Sequence, residues 1–343
     1  MSQKIIYSNN FAKNSDLIYA QSVSAKEFEN IKDSNKKIIS ETHNSLFSSI
    51  TYSLKTFSLN ENDVIYCHSD LLEELFLKLN KCKFENIKLI SNQSDRLINN
   101  KIYKKKPTCI SEWYGVNIEA NKKNLIPIPL GLSNPFSKKN LTHKDFDINN
   151  TNFNSDERKN KVYLNFREST NYQERRKIYK QFENKEWAFI SEPNLNNSDY
   201  KKDLSSYRYV LCPWGNGVDT HRVFESLYSG AVPILKIHKT YSNLEDLPIL
   251  FVQSYNEINE KLLQSYSKKL QKDLTNKEKL NIDWWINTIK RSRVPELGEQ
   301  YFASENKLGS FLIVLRLKNY YYLKSKYKKI YFIYIRILKK LSK

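Results

Sequence analysis

The sequence predicts an α/β protein with two sheets, each covered by helices, followed by a basic helical tail. Short runs of strand-forming residues alternate with amphipathic stretches, which is the pattern of strands joined by helical crossovers. A chain of 343 residues ordinarily forms two domains, and 40% hydrophobic residues can fill two cores. Lys307 to Lys343 carries eleven basic side chains and no acid, which sets it apart as a tail.

The domain boundaries follow from composition. Residues 136–159 are polar and rich in Asn, Lys, Asp and Ser, so we expect an interdomain linker there. The chain then divides into a first domain at 1–135, this linker, a second domain at 160–303 and the tail at 304–343.

The first domain contains a series of short apolar runs. A helical run is expected after the second of them, up to about Phe57, and Asp70 is expected to open an amphipathic helix. This alternation indicates a parallel sheet. The runs predict strands at residues 4–7, 36–39, 64–68, 87–90, 108–111 and 125–128.

Polar side chains are expected to follow three of these strands. Ligands of parallel sheets bind beyond the carboxyl ends of the strands, so these residues are candidates for an acceptor site. The simpler interpretations are that Asp70 caps a helix and that His68 is a hydrogen-bonded histidine at a strand end. The candidates are His68, Asp70, Asp95 and Glu112.

The chain is organised around Tyr207 to Leu235, which reads as strand, glycine turn, helix and second strand. This is a βαβ crossover unit. Pro213 ends the first strand, because proline cannot donate to a sheet ladder. The turn contains Gly215, Asn216 and Gly217, three residues that accept positive φ.

The helix of this unit has start and stop signals. Asp219 or Thr220 is expected to cap it, and Gly230 is expected to end it. The side chains at helical spacing on its inward face are Val223, Phe224, Leu227 and Tyr228.

The residues at the start of this helix are suited to binding a phosphate group. The helix N-terminus offers unpaired N–H groups and a positive dipole end, and Arg222 in its first turn can add a charge-assisted fork. Glu225 lies three residues on and can accept hydrogen bonds from ribose hydroxyls. The alternative is a plain βαβ unit in which Arg222 and Glu225 form an exposed ion pair.

The run Gly215 to Ile234, G-N-G-V-D-T-H-R-V-F-E-S-L-Y-S-G-A-V-P-I, resembles the donor-site segment of exostosin-like glycosyltransferases. Its layout is also similar to that of fucosyltransferases, in which Thr-Glu-Lys precedes the helix. Thr220, His221 and Arg222 take those positions here, and the departure at His221 disfavours a GDP-fucose donor. The resemblance implies that Arg222 binds the diphosphate of a UDP- or GDP-linked sugar. The candidate donor-binding residues of the segment are Gly215, Asn216, Gly217, Asp219, Thr220, His221, Arg222 and Glu225.

A second basic group is expected upstream. Related transferases carry a strand, a polar loop and a basic helix start, whose arginine approaches the donor phosphates. Arg167, Arg175 and Arg176 are the options here, with Arg167 and Arg175 preferred as donor-binding residues. The alternative is a solvated basic face.

The same resemblance implies two Rossmann-like domains that face each other across a cleft, the arrangement called GT-B. It also implies a reaction without a metal or a cofactor besides the nucleotide sugar. An inverting transfer requires a base from the first domain, the role for which Asp70, Asp95, Glu112 and His68 are candidates. The implied acceptor is a glycan or a lipid-linked molecule in surface polysaccharide synthesis.

The tail interleaves basic, tyrosine and aliphatic residues. We interpret Lys307 to Lys343 as an amphipathic helix on an anionic membrane surface, and the alternative is a terminal helix packed on the body. No signal-peptide core and no run of about 20 apolar residues occurs. The resemblance and the basic tail imply a cytoplasmic protein at the inner face of a membrane. The four cysteines form no C-x-x-C pair, which predicts buried thiols and no zinc site.

The sequence is also compatible with two other functions. The net charge of +19 also suits a nucleic-acid-binding protein, but the tail leaves only +8 (19 minus 11) for the other residues. Because no nucleic-acid-binding signature occurs, we expect no nucleic-acid partner. An inactive, transferase-like glycan-binding protein is the other alternative, and the pair Arg222 and Glu225 argues against it.

Overall fold

Two main sheets organise the protein. The computed structural model describes residues 4–32, 35–44, 47–153, 155, 157–272, 277–291 and 298–341. Within them the chain forms a seven-stranded sheet, a five-stranded sheet and a two-stranded sheet that joins distant segments. The predicted α/β class is therefore confirmed, with parallel-rich sheets and a C-terminal helix.

The first half supplies the seven-stranded sheet. Its helices are α1 (Ser8–Lys13), α2 (Ala25–Asn30), α3 (Leu72–Leu79) and α4 (Asn100–Tyr103). The strands of the first half are β1 (Leu17–Val23), β2 (Lys36–Asn44), β3 (Phe47–Leu54), β4 (Phe57–Leu59), β5 (Val64–His68), β6 (Ile87–Asn92), β7 (Ile110–Gly115) and β8 (Leu125–Pro127), of which all but β4 belong to this sheet.

The sheet order is β2-β3-β1-β5-β6-β7-β8. Strands β1 and β5 to β8 are parallel, whereas β3 runs antiparallel to both β1 and β2. The predicted parallel sheet is therefore correct for five strands and wrong at the β2–β3 edge, where a hairpin extends the sheet.

Four predicted strands of the first half coincide with β2, β5, β6 and β8. The helical run expected up to Phe57 is wrong, because this stretch forms strand β3. Its residues Ile50, Tyr52 and Leu54 are buried and alternate at the period of a strand. Residues 4–7 form isolated bridges at Ile5 and Tyr7 instead of the predicted strand.

The second half supplies an all-parallel sheet of order β10-β9-β11-β12-β13. Its strands are β9 (Lys159–Leu164), β10 (Ala188–Ile190), β11 (Tyr207–Leu211), β12 (Val232–Lys236) and β13 (Leu250–Val252). Its helices are α5 (Tyr172–Phe182), α6 (Asn197–Ser206), α7 (His221–Tyr228) and α8 (Glu260–Lys272).

The predicted crossover unit is confirmed as β11, α7 and β12. Gly230 follows α7 with a φ of 76°, the left-handed conformation expected at a helix end. A Cβ there would also lie 2.6 Å from the Asn152 carbonyl oxygen, so glycine is needed on both grounds. The four predicted inward side chains of α7 are all buried: Val223, Phe224, Leu227 and Tyr228.

The chain then returns to the first half through α9 (Ile282–Lys290), β14 (Tyr301–Ala303) and α10 (Lys307–Leu341). Strand β14 pairs antiparallel with β4, and the Ile282 N–H donates to the Lys4 carbonyl at 2.9 Å. Helix α10 packs on α3. Residues 282–303, which belong to the predicted second domain, therefore include segments that contact the first half.

One hydrophobic core contains buried side chains from both halves, among them Tyr114 and Phe224. Leu141, Phe146 and Phe153, which belong to the predicted linker, are buried in the same core. This segment is therefore packed between the halves. Among the residues described, no helix is both long enough and apolar enough to span a membrane.

Candidate functional site

The two halves meet at loops that follow parallel strands. The Asp219 carboxylate accepts a hydrogen bond from the Leu130 N–H at 3.0 Å, and the Asp219 N–H donates to the Asn117 side chain at 2.8 Å. The Thr240 hydroxyl donates to the Ile118 carbonyl at 3.1 Å. Because these loops follow β7, β8, β11 and β12, the carboxyl ends of strands from both sheets point towards this contact.

Asp219 is a buried carboxyl within this contact. Burial raises the pKa of Asp219 to about 7, although hydrogen bonds from the Leu130 and Thr220 N–H groups favour its charged form. Thr220 holds the helix-cap position of α7, but its side chain makes no capping hydrogen bond. Of the two predicted caps, it is Asp219 whose side chain bonds the start of the helix, since its carboxylate accepts from the Thr220 N–H at 2.9 Å.

His221 belongs to the same contact. Its Nδ1 lies 2.8 Å from the Gly131 carbonyl oxygen, which can only accept, so the imidazole donates from Nδ1. The side chain that departs from the fucosyltransferase pattern therefore joins the two halves.

The two glycines of the turn leave room for neighbouring side chains that pack against the backbone. Gly215 and Gly217 do not use the positive φ that glycine accepts, because the glycines with positive φ in the described residues are Gly131 and Gly230. A Cβ on Gly215 would lie 3.3 Å from an Arg175 nitrogen, and one on Gly217 would lie 3.0 Å from the Asn117 side-chain oxygen. Asn216 between them is exposed, so the turn opens to solvent there.

Arg175 stabilises the conformation of the turn between β11 and α7. Its guanidinium donates to the carbonyls of Trp214, Pro213 and Arg167, each at 2.9 Å, and lies over the Phe166 ring. Burial and the nearby Arg222 lower the pKa of Arg175 to about 10. Three of its five N–H donors are thus used by the backbone, which gives Arg175 a supporting position.

Arg222 lies in the first turn of α7, half-buried, with its guanidinium 5.9 Å from the Tyr200 ring centroid. Burial opposes its charge, but the Tyr200 hydroxyl and the Glu225 carboxylate outweigh this and raise the pKa of Arg222. Glu225 is buried and accepts a hydrogen bond from the Tyr200 hydroxyl at 2.8 Å. The alternative of an exposed Arg222–Glu225 ion pair therefore does not apply.

Three polar atoms around this turn are buried and have no hydrogen-bond partner within the described part of the chain: Trp214 Nε1, Thr220 Oγ1 and Arg222 Nε. Buried polar groups are nearly always paired. These three atoms therefore offer hydrogen-bonding capacity that the protein itself does not use, beside the positive charges of Arg175 and Arg222.

Arg167 and Arg176 flank the turn. The Arg167 side chain is exposed, and its carbonyl accepts from Arg175. Arg176 lines an open groove at the carboxyl ends of β9 and β10, together with Phe166, Tyr179 and Ile190. Arg176 also contacts the Tyr172 hydroxyl and ring.

His68 and Asp70 lie where the sequence predicts, at the carboxyl end of β5. His68 Nδ1 accepts a hydrogen bond from the Asp70 N–H at 3.3 Å, and burial lowers the pKa of His68 despite the nearby Asp70 carboxylate. The Asp70 carboxylate accepts from Ser94 at 2.6 Å and from the Tyr321 hydroxyl of α10. Burial therefore favours the neutral form of His68, and the Asp70 side chain is 15% exposed against 9% for that of His68.

Asp95 and Glu112 have different positions. Asp95 is exposed in the loop after β6. The expectation that Glu112 follows a strand is wrong, because β7 starts at Ile110 and places Glu112 opposite Lys88, near the amino end of the sheet. There it pairs with Lys88 at 3.2 Å, away from the candidate edge.

Comparison of the chain with models of known protein families and with curated proteins finds no match. Within the described residues, no group of three or more His, Cys, Asp or Glu side chains could hold a metal ion.

Three members of this site were not predicted from the sequence: Asn117, Trp214 and Tyr200. Trp214 lies beside the predicted turn, so the motif itself could have included it. Tyr200 lies on α6, 25 residues from its partner Glu225 and outside the predicted segment. Asn117 has a φ of 54°, and its role depends on Asp219 in the other half, which no local pattern reveals.

Proposed function

We propose that the protein is a glycosyltransferase that moves a sugar from a nucleoside diphosphate to a glycan or a lipid-linked acceptor. In this proposal the donor diphosphate binds the turn between β11 and α7. The observation that carries it is the group of unpartnered buried polar atoms on Trp214, Thr220 and Arg222. Buried polar atoms without partners cost free energy, and phosphate oxygens accept hydrogen bonds from N–H and O–H groups.

The charges at the turn support an anionic ligand. Arg175 and Arg222 are close enough that Arg222 lowers the pKa of Arg175. Glu225 offsets part of this charge, but one of its carboxylate oxygens is bonded to Tyr200. A diphosphate would relieve the repulsion between the two cations.

The proposed chemistry follows from where charge develops. The acceptor oxygen attacks the anomeric carbon, the bond from that carbon to the diphosphate oxygen breaks, and the leaving diphosphate gains negative charge. Arg222 and the N-terminal N–H groups of α7 would stabilise this charge. A carboxylate at the facing edge of the first sheet would take the acceptor proton, and we propose Asp70 for this role, with Asp95 as the alternative.

The meeting of strand ends from both sheets supports a two-domain arrangement of the GT-B type. The contacts of Asp219 with Leu130 and Asn117 hold the proposed donor turn against the first half. A donor at the turn would then face an acceptor at the edge that contains Asp70.

The proposal is tested by thermal unfolding of the full chain with UDP, GDP and CMP. A ligand at a hundred times its Kd adds about 2.7 kcal/mol, which we expect to raise Tm by about 2–4 °C. Arg222→Gln should abolish the rise for the responding nucleotide. The exposed Arg291→Gln removes the same charge elsewhere and should leave it intact. No response to any nucleotide, or an equal response in Arg222→Gln, would contradict the proposal.

A further inference from the structure

One face of α10 packs against the rest of the protein. Ser310, Val314, Leu317 and Tyr321 recur at intervals of four, three and four residues, so they share one side of the helix. Ser310 and Val314 are buried, and Leu317 packs against the core of the first half. The Tyr321 hydroxyl donates to the Asp70 carboxylate. This inner face therefore fixes α10 to the sheet edge that contains Asp70.

The opposite face of α10 is mostly apolar and exposed. Its members recur at helical spacing, and their exposed fractions run from 43% for Leu315 to 65% for Ile330. A soluble helix normally presents its polar face to water, so an outward apolar row on a helix already packed on its other side calls for a second partner. The apolar members of this outer face are Leu312, Leu315, Leu323, Ile330 and Ile333, and the exposed polar residues Asn319 and Lys326 lie between them.

The charge around this face indicates the partner. Lys307 to Lys343 contains eleven basic side chains and no acid. Tyr320, Tyr322 and Tyr327 lie along the helix with more than half of their surface exposed. Basic residues are attracted to anionic lipid headgroups, and tyrosine rings favour the headgroup level of a bilayer. An apolar row bordered by these residues fits an anionic phospholipid surface.

We propose that α10 is a two-sided platform, whose outer face lies on an anionic lipid surface while its inner face holds the carboxyl edge of the first sheet. A helix with its side chains is about 10 Å in diameter. Asp70 therefore stands roughly one helix diameter from the lipid headgroups. Strand starts such as Ile87 lie at the opposite edge of the sheet, farther from the lipid. The orientation does not depend on the proposed function, but it would place the proposed base at the membrane surface.

The contact is tested on the full chain with phosphatidylcholine vesicles, with and without phosphatidylglycerol. The four native cysteines are buried, so a polarity-sensitive dye can be attached to Leu323→Cys or, as a control, to Lys101→Cys on α4. We expect a blue shift only for the Leu323 probe and only with phosphatidylglycerol. Leu312→Ser combined with Leu323→Ser should weaken binding roughly tenfold or more, and Lys326→Gln should weaken it roughly fivefold.

The orientation is tested by energy transfer to a labelled lipid headgroup. Leu97→Cys carries the donor dye near the Asp70 edge, and Glu85→Cys carries it at the start of β6. Transfer should be greater from Leu97 than from Glu85. Equal transfer, loss of hydrogen-exchange protection at residues 69–72 on vesicle binding, or a Leu323 probe that is buried by self-association without lipid would overturn the proposal. None of these readouts involves a nucleotide, so failure of the donor-site proposal would be seen separately.

Discussion

Asp219 and Leu130 join the two halves of the protein through a buried hydrogen bond. The Asp219 carboxylate accepts from the Leu130 N–H at 3.0 Å, although only 3% of the residue is exposed. The same carboxylate holds the start of α7 through the Thr220 N–H. The carboxylate therefore couples the position of the proposed donor turn to the first half.

This carboxyl makes stability depend on pH. Burial raises the pKa of Asp219 from its ordinary value of 3.8 to about 7, so the folded protein holds a proton that the unfolded chain has released. The contribution of Asp219 to the free energy of unfolding therefore falls as pH rises from about 4 to about 7, by up to about 4 kcal/mol. Urea unfolding at several pH values measures this dependence.

Asp219→Asn should flatten this pH dependence, because the amide does not titrate. The exposed Asp199→Asn serves as the matched control and should keep the wild-type profile. A wild-type stability that rises between pH 4 and 7, with the same slope in Asp219→Asn, would be incompatible with a buried protonated Asp219.

Gly217→Ala should loosen the contact between the halves. A Cβ at Gly217 would lie 3.0 Å from the oxygen and 3.1 Å from the nitrogen of the Asn117 side chain, which must then move away from the Asp219 N–H. We expect a loss of about 1–3 kcal/mol in urea unfolding, from the lost hydrogen bond and local crowding.

The chain offers a control for this substitution. A Cβ at Gly298 would meet nothing within 4 Å, so Gly298→Ala should change stability by less than about 0.5 kcal/mol. If the mechanism is right, Gly217→Ala should cost much less in an Asn117→Ala background. Additive losses in the double variant would show that Asn117 is not the group displaced.

The predicted strands are those that contain a compact run of strand-forming apolar residues. Val64 to Cys67 in β5 and Leu89 and Ile90 in β6 are such runs, and every residue of both strands is buried. Strand β1 was missed because it contains Gln21, a polar residue that is buried through its hydrogen bond to the Tyr52 hydroxyl. That contact depends on the pairing of β1 with β3, which no local pattern shows.

The site was predictable only where its residues are neighbours in the chain. The turn from Gly215 to Arg222 follows from local helix and turn chemistry. Its glycines do not have positive φ, and they leave room for Arg175 and Asn117, which the local pattern does not show. Asn117 lies 102 residues from Asp219, so its part in the site is a property of the fold.

The cysteines should be unreactive in the folded protein. All four are buried and free, and burial raises the pKa of Cys109 and Cys212 to about 12. At pH 8 a thiol with that pKa is roughly one part in ten thousand thiolate, the reactive form. We expect four thiols to react with Ellman's reagent only after unfolding in urea. Rapid reaction of any thiol in the native protein would contradict the burial described here.

Arg175→Lys should destabilise the protein and deform the proposed donor turn. Lysine keeps the charge but cannot donate to the carbonyls of Pro213, Trp214 and Arg167 together, as the planar guanidinium does. We expect a loss of about 2–4 kcal/mol in urea unfolding, because buried carbonyls lose charge-assisted partners. Arg176→Lys, one position along α5, is the matched control and should cost less than about 1 kcal/mol.

A structural role and a phosphate-binding role of Arg175 predict different effects of Arg175→Lys. If Arg175 supports the turn, Arg175→Lys lowers stability without any nucleotide present, whereas a phosphate-binding arginine would lower only the stabilisation by nucleotide. Because three of its N–H donors already bond backbone carbonyls, we expect the first result. Unchanged stability of Arg175→Lys in the absence of nucleotide would instead assign the guanidinium to the ligand.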